Sequence, residues 1–137
     1  MRFLLDTNVI SEVSKPACDP NVQAWINSVN GTDLYLSVLV VGEIRQGIER
    51  LRRRDAAQAQ AFERWLMSLE QQYADRVIPI TTPIAEEWGR LNVPNRLPAV
   101  DGLMAATAKV LGLTFVTRNT TEVTGASVAI LNPFKPL

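Results

Sequence analysis

Short apolar runs alternate with amphipathic stretches along the whole chain. Arg2 to Leu5 reads as a short buried strand, and Asp6-Thr7-Asn8 as a turn that caps a helix from Val9 to about Val13. A loop over Lys15 to Pro20 leads into an amphipathic helix from Val22 to Val29, and Asn30-Gly31-Thr32-Asp33 is turn chemistry. Leu34 to Leu36 predicts a second strand, with Ser37 as the N-cap of a helix running to about Arg54. Ala56, Ala59, Phe62, Leu66 and Leu69 recur at helical spacing and predict a helix from Asp55 to about Tyr73. Val77 to Ile80 is a third strand, where Pro79 points to a sheet edge or strand end. Thr82-Pro83 opens a helix to about Leu91. After a loop from Asn92 to Leu97, Pro98 starts a helix that ends near Leu111, with Gly112 as its stop. Thr114 to Val116 is a fourth strand, Asn119 to about Val123 a short helix or turn, and Ser127 to Leu131 a fifth strand closed by Asn132-Pro133.

Strand–helix alternation of this kind predicts an α/β fold, a three-layer α/β/α sandwich around a mainly parallel central sheet. At 137 residues the chain is expected to form a single domain over 1–137, and its 47% apolar content is enough for a sizeable core. Open parallel sheets bind ligands beyond the carboxyl ends of their strands. Asp6 lies at that end of the first strand, and Thr117-Arg118-Asn119 at that end of the fourth. Glu43 and Asp101 fall on helices that follow strands or pass beside them, so all of these residues can face one crevice.

Charge narrows the choice of partner. Fourteen basic residues balance 14 acidic ones, so a polyanion must meet a local basic patch or a metal, not a globally basic surface. No apolar stretch approaches the roughly 18–20 residues needed to span a bilayer, and the N-terminus lacks a signal-peptide layout. Cys18 is the only cysteine, which excludes an intramolecular disulfide and a thiolate zinc site. A cytoplasmic protein is expected. The chain has no histidine, and this removes Ser-His-Asp and Cys-His nucleophiles, His-ligated zinc and histidine acid–base chemistry. What remains is carboxylate chemistry, with or without a metal.

Three carboxylates interrupt the most apolar segments. Asp6 ends Phe3-Leu4-Leu5, Glu43 follows Leu36-Ser37-Val38-Leu39-Val40-Val41-Gly42, and Asp101 sits between Ala99-Val100 and Gly102-Leu103-Met104-Ala105-Ala106. Taken singly, each has a plain reading: Asp6 as a helix cap, Glu43 as the first polar residue of a helix turning to solvent, Asp101 as an acid favoured by a helix N-terminus. Taken together they point to a shared cation, because ionised carboxylates withdrawn from water repel one another unless one is present. Oxygen-only ligands select a hard ion such as Mg²⁺ or Mn²⁺. Such an ion polarises a phosphodiester and activates water for in-line attack, so a histidine-free acidic site suits phosphodiester hydrolysis.

Four blocks carry a family resemblance: Leu4-Leu5-Asp6-Thr7-Asn8-Val9-Ile10-Ser11-Glu12; Leu36-Ser37-Val38 with Val41-Gly42-Glu43-Ile44-Arg45-Gln46-Gly47; Asp101 to Ala108; and Thr117-Arg118-Asn119. In this order and spacing the chain resembles a PIN domain, most closely the VapC/FitB-type toxins of bacterial toxin–antitoxin pairs. The resemblance implies a Mg²⁺- or Mn²⁺-dependent endoribonuclease. Asp6, Glu43 and Asp101 match the family's acidic metal-site residues, and Thr7 and Thr117 its hydroxyls beside the site. Asn119 stands where a fourth acid usually follows the Thr-Arg pair, a departure that Glu122 can offset from three residues on. The resemblance also implies a cognate antitoxin protein, an RNA substrate, a homodimer, no membrane association, and DNA met only through the antitoxin.

Two rival readings stay open. One is a catalytically degenerate PIN module that binds RNA or a partner, and the other an aspartate-based phosphatase built on Asp6. Asn8 stands where a dehalogenase-like phosphatase would want a second Asp, and Arg118 is the only basic residue near the position of a receiver domain's late Lys. Arg45, Arg50, Arg52, Arg53 and Arg54 form the one dense basic stretch, either a solvated helix end or an RNA-phosphate contact. Trp25, Trp65 and Trp88 have apolar neighbours and read as core.

Overall fold

The computed structural model describes residues 1–136, so the last residue of the expected domain, Leu137, lies outside the described residues. Five parallel strands form the centre: β1 (Phe3–Leu5), β2 (Leu34–Ser37), β3 (Val77–Ile78), β4 (Thr114–Val116) and β5 (Ile130–Leu131). Their spatial order is β3-β2-β1-β4-β5. Phe3 pairs with Leu34 on one side of β1 and with Thr114 on the other. Helices α1 (Thr7–Val13), α2 (Pro20–Ser28), α3 (Val38–Arg52), α4 (Ala56–Gln72), α5 (Thr82–Leu91) and α6 (Ala99–Leu111) complete the expected α/β/α sandwich. No helix among the described residues is long and apolar enough to cross a membrane.

The core follows from strand composition. β1 is buried at every residue, as strands covered on both faces are. Leu4, Leu5, Leu36, Phe115 and Val116 are almost entirely removed from solvent, and Val9, Val40, Leu66, Met104 and Ala105 pack onto them from the helices. Trp25 is core as expected and meets the Phe3 ring edge-on at 5.3 Å.

Local chemistry sets the helix ends. Asp6 caps α1 directly, so that helix starts at Thr7 and not at Val9. Asp19, with Pro20 in the first turn, starts α2 two residues before the expected Val22. Ser37 caps α3 by accepting from Leu39 N–H at 3.0 Å. Asp55 caps α4, Thr81 caps α5, and Gly112 ends α6 in the left-handed region at φ 66°, which favours glycine. Pro98 precedes α6 as its cap and is not its first helical residue.

Two strands are shorter than the pattern predicts. β3 stops at Ile78, since Pro79 cannot donate to a ladder, and it lies at the sheet edge as expected. β5 begins at Ile130, not at Ser127, because 120–126 forms a 3₁₀ helix and Ser127 sits in the left-handed region at φ 54°. That helix is the short helix or turn expected from Asn119 to about Val123, and it runs on to Ala126.

Candidate active site

The strand order reverses between β1 and β4, and the cleft opens where their carboxyl ends part. Asp6 leaves β1 there, and its N–H donates to Val116 O at 2.9 Å, which stitches the two strand ends together. Asp6 and Thr117 are both buried, at 5% and 1% exposure. Thr117 Oγ1 donates to Asp6 Oδ2 at 2.6 Å, and Thr7 N–H donates to Asp6 Oδ1 at 2.7 Å. Both carboxylate oxygens are therefore held, and the group is fixed about its own axis. Thr117 Oγ1 also accepts from Asn119 N–H at 3.1 Å, which shapes the turn after β4.

Glu43 arrives from the second turn of α3. Thr7 Oγ1 donates to Glu43 Oε1 at 2.5 Å, so Thr7 alone, through its N–H and its hydroxyl, holds two of the three acids. Asp101 arrives from the first turn of α6, half-buried. Burial first, and then the negative charges of Asp6, Glu122 and Glu43, push its carboxyl up to about 6. The last of these causes is the mutual repulsion expected of carboxylates that share a site without a cation.

Asp6, Glu43, Asp101 and Asn119 line one cleft with Thr7, Asn8 and the start of α6 from Pro98 to Val100. Glu122 is exposed on the 3₁₀ helix, close enough for its charge to act on Asp101. The fourth acidic influence on the cleft thus comes from Glu122, while Asn119 contributes a neutral wall. Thr117 stands behind Asp6 as a positioning hydroxyl. Among the described residues no three acidic side chains close tightly enough to hold an ion by themselves. The donor set is all oxygen, and its crowding is what a hard divalent ion carrying its own water would relieve.

Sequence reasoning missed two features. Asn8 lines the cleft with its Oδ1 buried and without a partner, although it stands inside the Asp6-Thr7-Asn8 turn. An apolar groove runs alongside, lined by Ile44, Ile48, Leu51, Phe62 and Trp65, with Arg54 on its border and Thr7 and Glu43 forming the end shared with the cleft. No local signal marked the groove: Phe62 sits at core spacing in the sequence, yet on α4 it is 39% exposed. Trp65 therefore lines a groove in addition to packing on the core.

The basic stretch divides. Arg45 grips Glu63 of α4 through two bonds of 2.6 Å and meets Glu49, while Arg52 bridges Glu49 and Glu63. These two arginines join α3 to α4, and Arg50, Arg53 and Arg54 remain exposed.

Comparison with known proteins places this geometry. Residues 3–121 match the PIN domain family. The chain is 36% identical over 137 residues to the toxin FitB of Neisseria gonorrhoeae, covering 96% of this chain and 98% of that protein. It is 33% identical to the VapC ribonuclease Y4jK of Sinorhizobium fredii, covering 98% and 99%. The solved structure of FitAB bound to an IR36 DNA fragment superposes with a TM-score of 0.89 at 33% identity, covering 98% of this chain and 97% of that one.

Proposed function

The chain belongs to the PIN domain family, and from that premise we propose that it is a Mg²⁺- or Mn²⁺-dependent endoribonuclease, the toxin of a toxin–antitoxin pair. The observation that carries this reading is the convergence of Asp6, Glu43 and Asp101, from three separate elements, on one cleft at the carboxyl end of the sheet. The names of its relatives, a toxin and a VapC ribonuclease, support it.

Asp6, Asp101 and Glu43 would hold the ion, with Glu122 adding charge from the rim. The bound ion supplies positive charge that polarises a phosphodiester and acidifies the attacking water. The chain does the rest. Thr117 and the Thr7 N–H fix the Asp6 carboxylate, and the Thr7 hydroxyl fixes Glu43, so neither acid has to reorganise when substrate arrives. In the metal-free cleft burial and its acidic neighbours push Asp101 up to about 6, and a bound ion would hold it ionised. Water activated by the ion is the nucleophile in this scheme, so no covalent enzyme intermediate is expected.

An antitoxin would seat an apolar segment in the groove between α3 and α4, whose end wall includes Glu43. DNA would be met only through that partner, a reading supported by the similar FitAB complex, which is bound to a DNA fragment. A cytoplasmic homodimer completes the proposal.

The test is cleavage of RNA by purified protein with Mg²⁺ or Mn²⁺, with EDTA as the control. Cleavage is expected with either ion and lost with EDTA, with Asp6→Asn and with Asp101→Asn. Undiminished cleavage in both variants overturns the reading.

A further inference from the structure

The residue after Asp101 is a buried glycine. A Cβ placed on Gly102 would lie 3.3 Å from Leu97 Cβ and 3.3 Å from both Cδ1 and Nε1 of Trp88. That is tighter than ordinary packing, so α6 approaches the Trp88 indole as closely as it does only because the side chain is missing. The indole N–H is buried in this contact and has no hydrogen-bond partner. Its place is therefore set by shape alone.

The two residues that face Gly102 are fastened to each other. Asn92, at the end of α5, donates from Nδ2 to Trp88 O at 3.0 Å and accepts at Oδ1 from Leu97 N–H at 2.8 Å. One amide thus ties the last turn of α5 to the residue that precedes Pro98, and Pro98 is the N-cap of α6. Asp101 lies in the first turn beyond it.

We propose that Trp88, Asn92 and Leu97 form a bracket that closes on Gly102 and sets the position of the Asp101 carboxylate in the cleft. Trp88 and Asn92 are positioning residues in this scheme and touch nothing that reacts. The inference rests on the metal-site reading of the cleft. Residues that orient ion-holding groups change affinity by roughly ten-fold or more when altered.

The experiment measures Mn²⁺ binding by the loss of the free-ion EPR signal, alongside thermal melting of the metal-free protein. Gly102→Ala and Asn92→Ala are each expected to weaken Mn²⁺ binding about ten-fold. Gly89→Ala makes the same chemical change one residue from Trp88, where a Cβ meets nothing within 4 Å, and should leave Mn²⁺ binding unchanged. Adding Trp88→Leu to Gly102→Ala removes the two close contacts with the indole, leaving that with Leu97 Cβ, and should recover part of the lost affinity. A folded Gly102→Ala protein that binds Mn²⁺ as the wild type does overturns the bracket. If Gly102→Ala does not fold, wild-type affinity in Asn92→Ala overturns it instead. A double variant no better than Gly102→Ala overturns the role of Trp88. A wild type that binds no Mn²⁺ overturns the metal site itself and the bracket with it, which separates failure of the premise from failure of the inference.

Discussion

Replacing Thr117 by valine removes one oxygen and keeps the shape of the side chain. The residue is 1% exposed, so water cannot take the place of the lost hydroxyl. Asp6, 5% exposed, would lose its 2.6 Å bond at Oδ2 and keep only the bond from Thr7 N–H. Hydrogen bonds to charged groups contribute about 1.5–3 kcal/mol, and the partner left behind bears the loss. The second bond of the hydroxyl, from Asn119 N–H, adds little, because Asn119 is exposed and its N–H can turn to solvent. Thr117→Val should therefore destabilise the metal-free protein by about 1.5–3 kcal/mol. Thr117→Ser keeps both bonds and removes a buried methyl, which costs about 1 kcal/mol. Urea unfolding in EDTA measures the two differences, and Mn²⁺ titration supplies the functional half. Valine should weaken ion binding and serine should not. If the valine protein is as stable as the serine protein and binds Mn²⁺ like the wild type, the hydroxyl does not position Asp6 and the reasoning fails.

Asp101→Asn removes a carboxyl raised from 3.8 to about 6, so the wild type loses stability from that group as pH rises from 3.8 to about 6, and the loss is complete above the folded value. Metal-free melting should show the variant more stable than wild type above pH 6, with the gap closing as pH falls toward 3.8. In the wild type, the ionised fraction of Asp101 falls from roughly nine-tenths to one-tenth between pH 7 and pH 5, so Mn²⁺ titrations should show affinity dropping about ten-fold over that interval. Glu63→Gln loses the carboxylate gripped by Arg45 and Arg52, whose pairing, Arg45 foremost, holds its pKa below the usual range. The wild type's advantage over this variant should be present at neutral pH, fade as pH falls through the acid range, and shrink in high salt, as Tm values at several ionic strengths will show.

Where a signal was local, the sequence carried it. Ser37 and Gly112 end helices by contacts within a few residues, and short-range rules find such contacts. The acids of the cleft were legible for a different reason: a charge inside an apolar run is costly wherever the run goes. What stayed hidden was non-local. The bond between Thr117 and Asp6 spans 111 positions, and Thr117 alone reads as a β-branched strand end. The bond from Thr7 to Glu43 spans 36. The apolar groove exists only once α3 and α4 lie side by side, and Phe62 on its own spacing belongs to a core stripe. Glu122 and Asn119 were both in view, and only the fold of 120–126 brings the charge of Glu122 near Asp101 while neutral Asn119 lines the cleft.

Glu43 belongs to the cleft and to the apolar groove at once. With an antitoxin seated in the groove as proposed, recognition and turnover would meet at Glu43 and the Thr7 that holds it, where a change to one disturbs the other. Lineages that change partner would have room to do so at Phe62, Trp65 and Leu51, which line the groove and not the cleft. Insulation between neighbouring toxin pairs in one cell would then be written in those apolar residues, while the shared acid stays as it is.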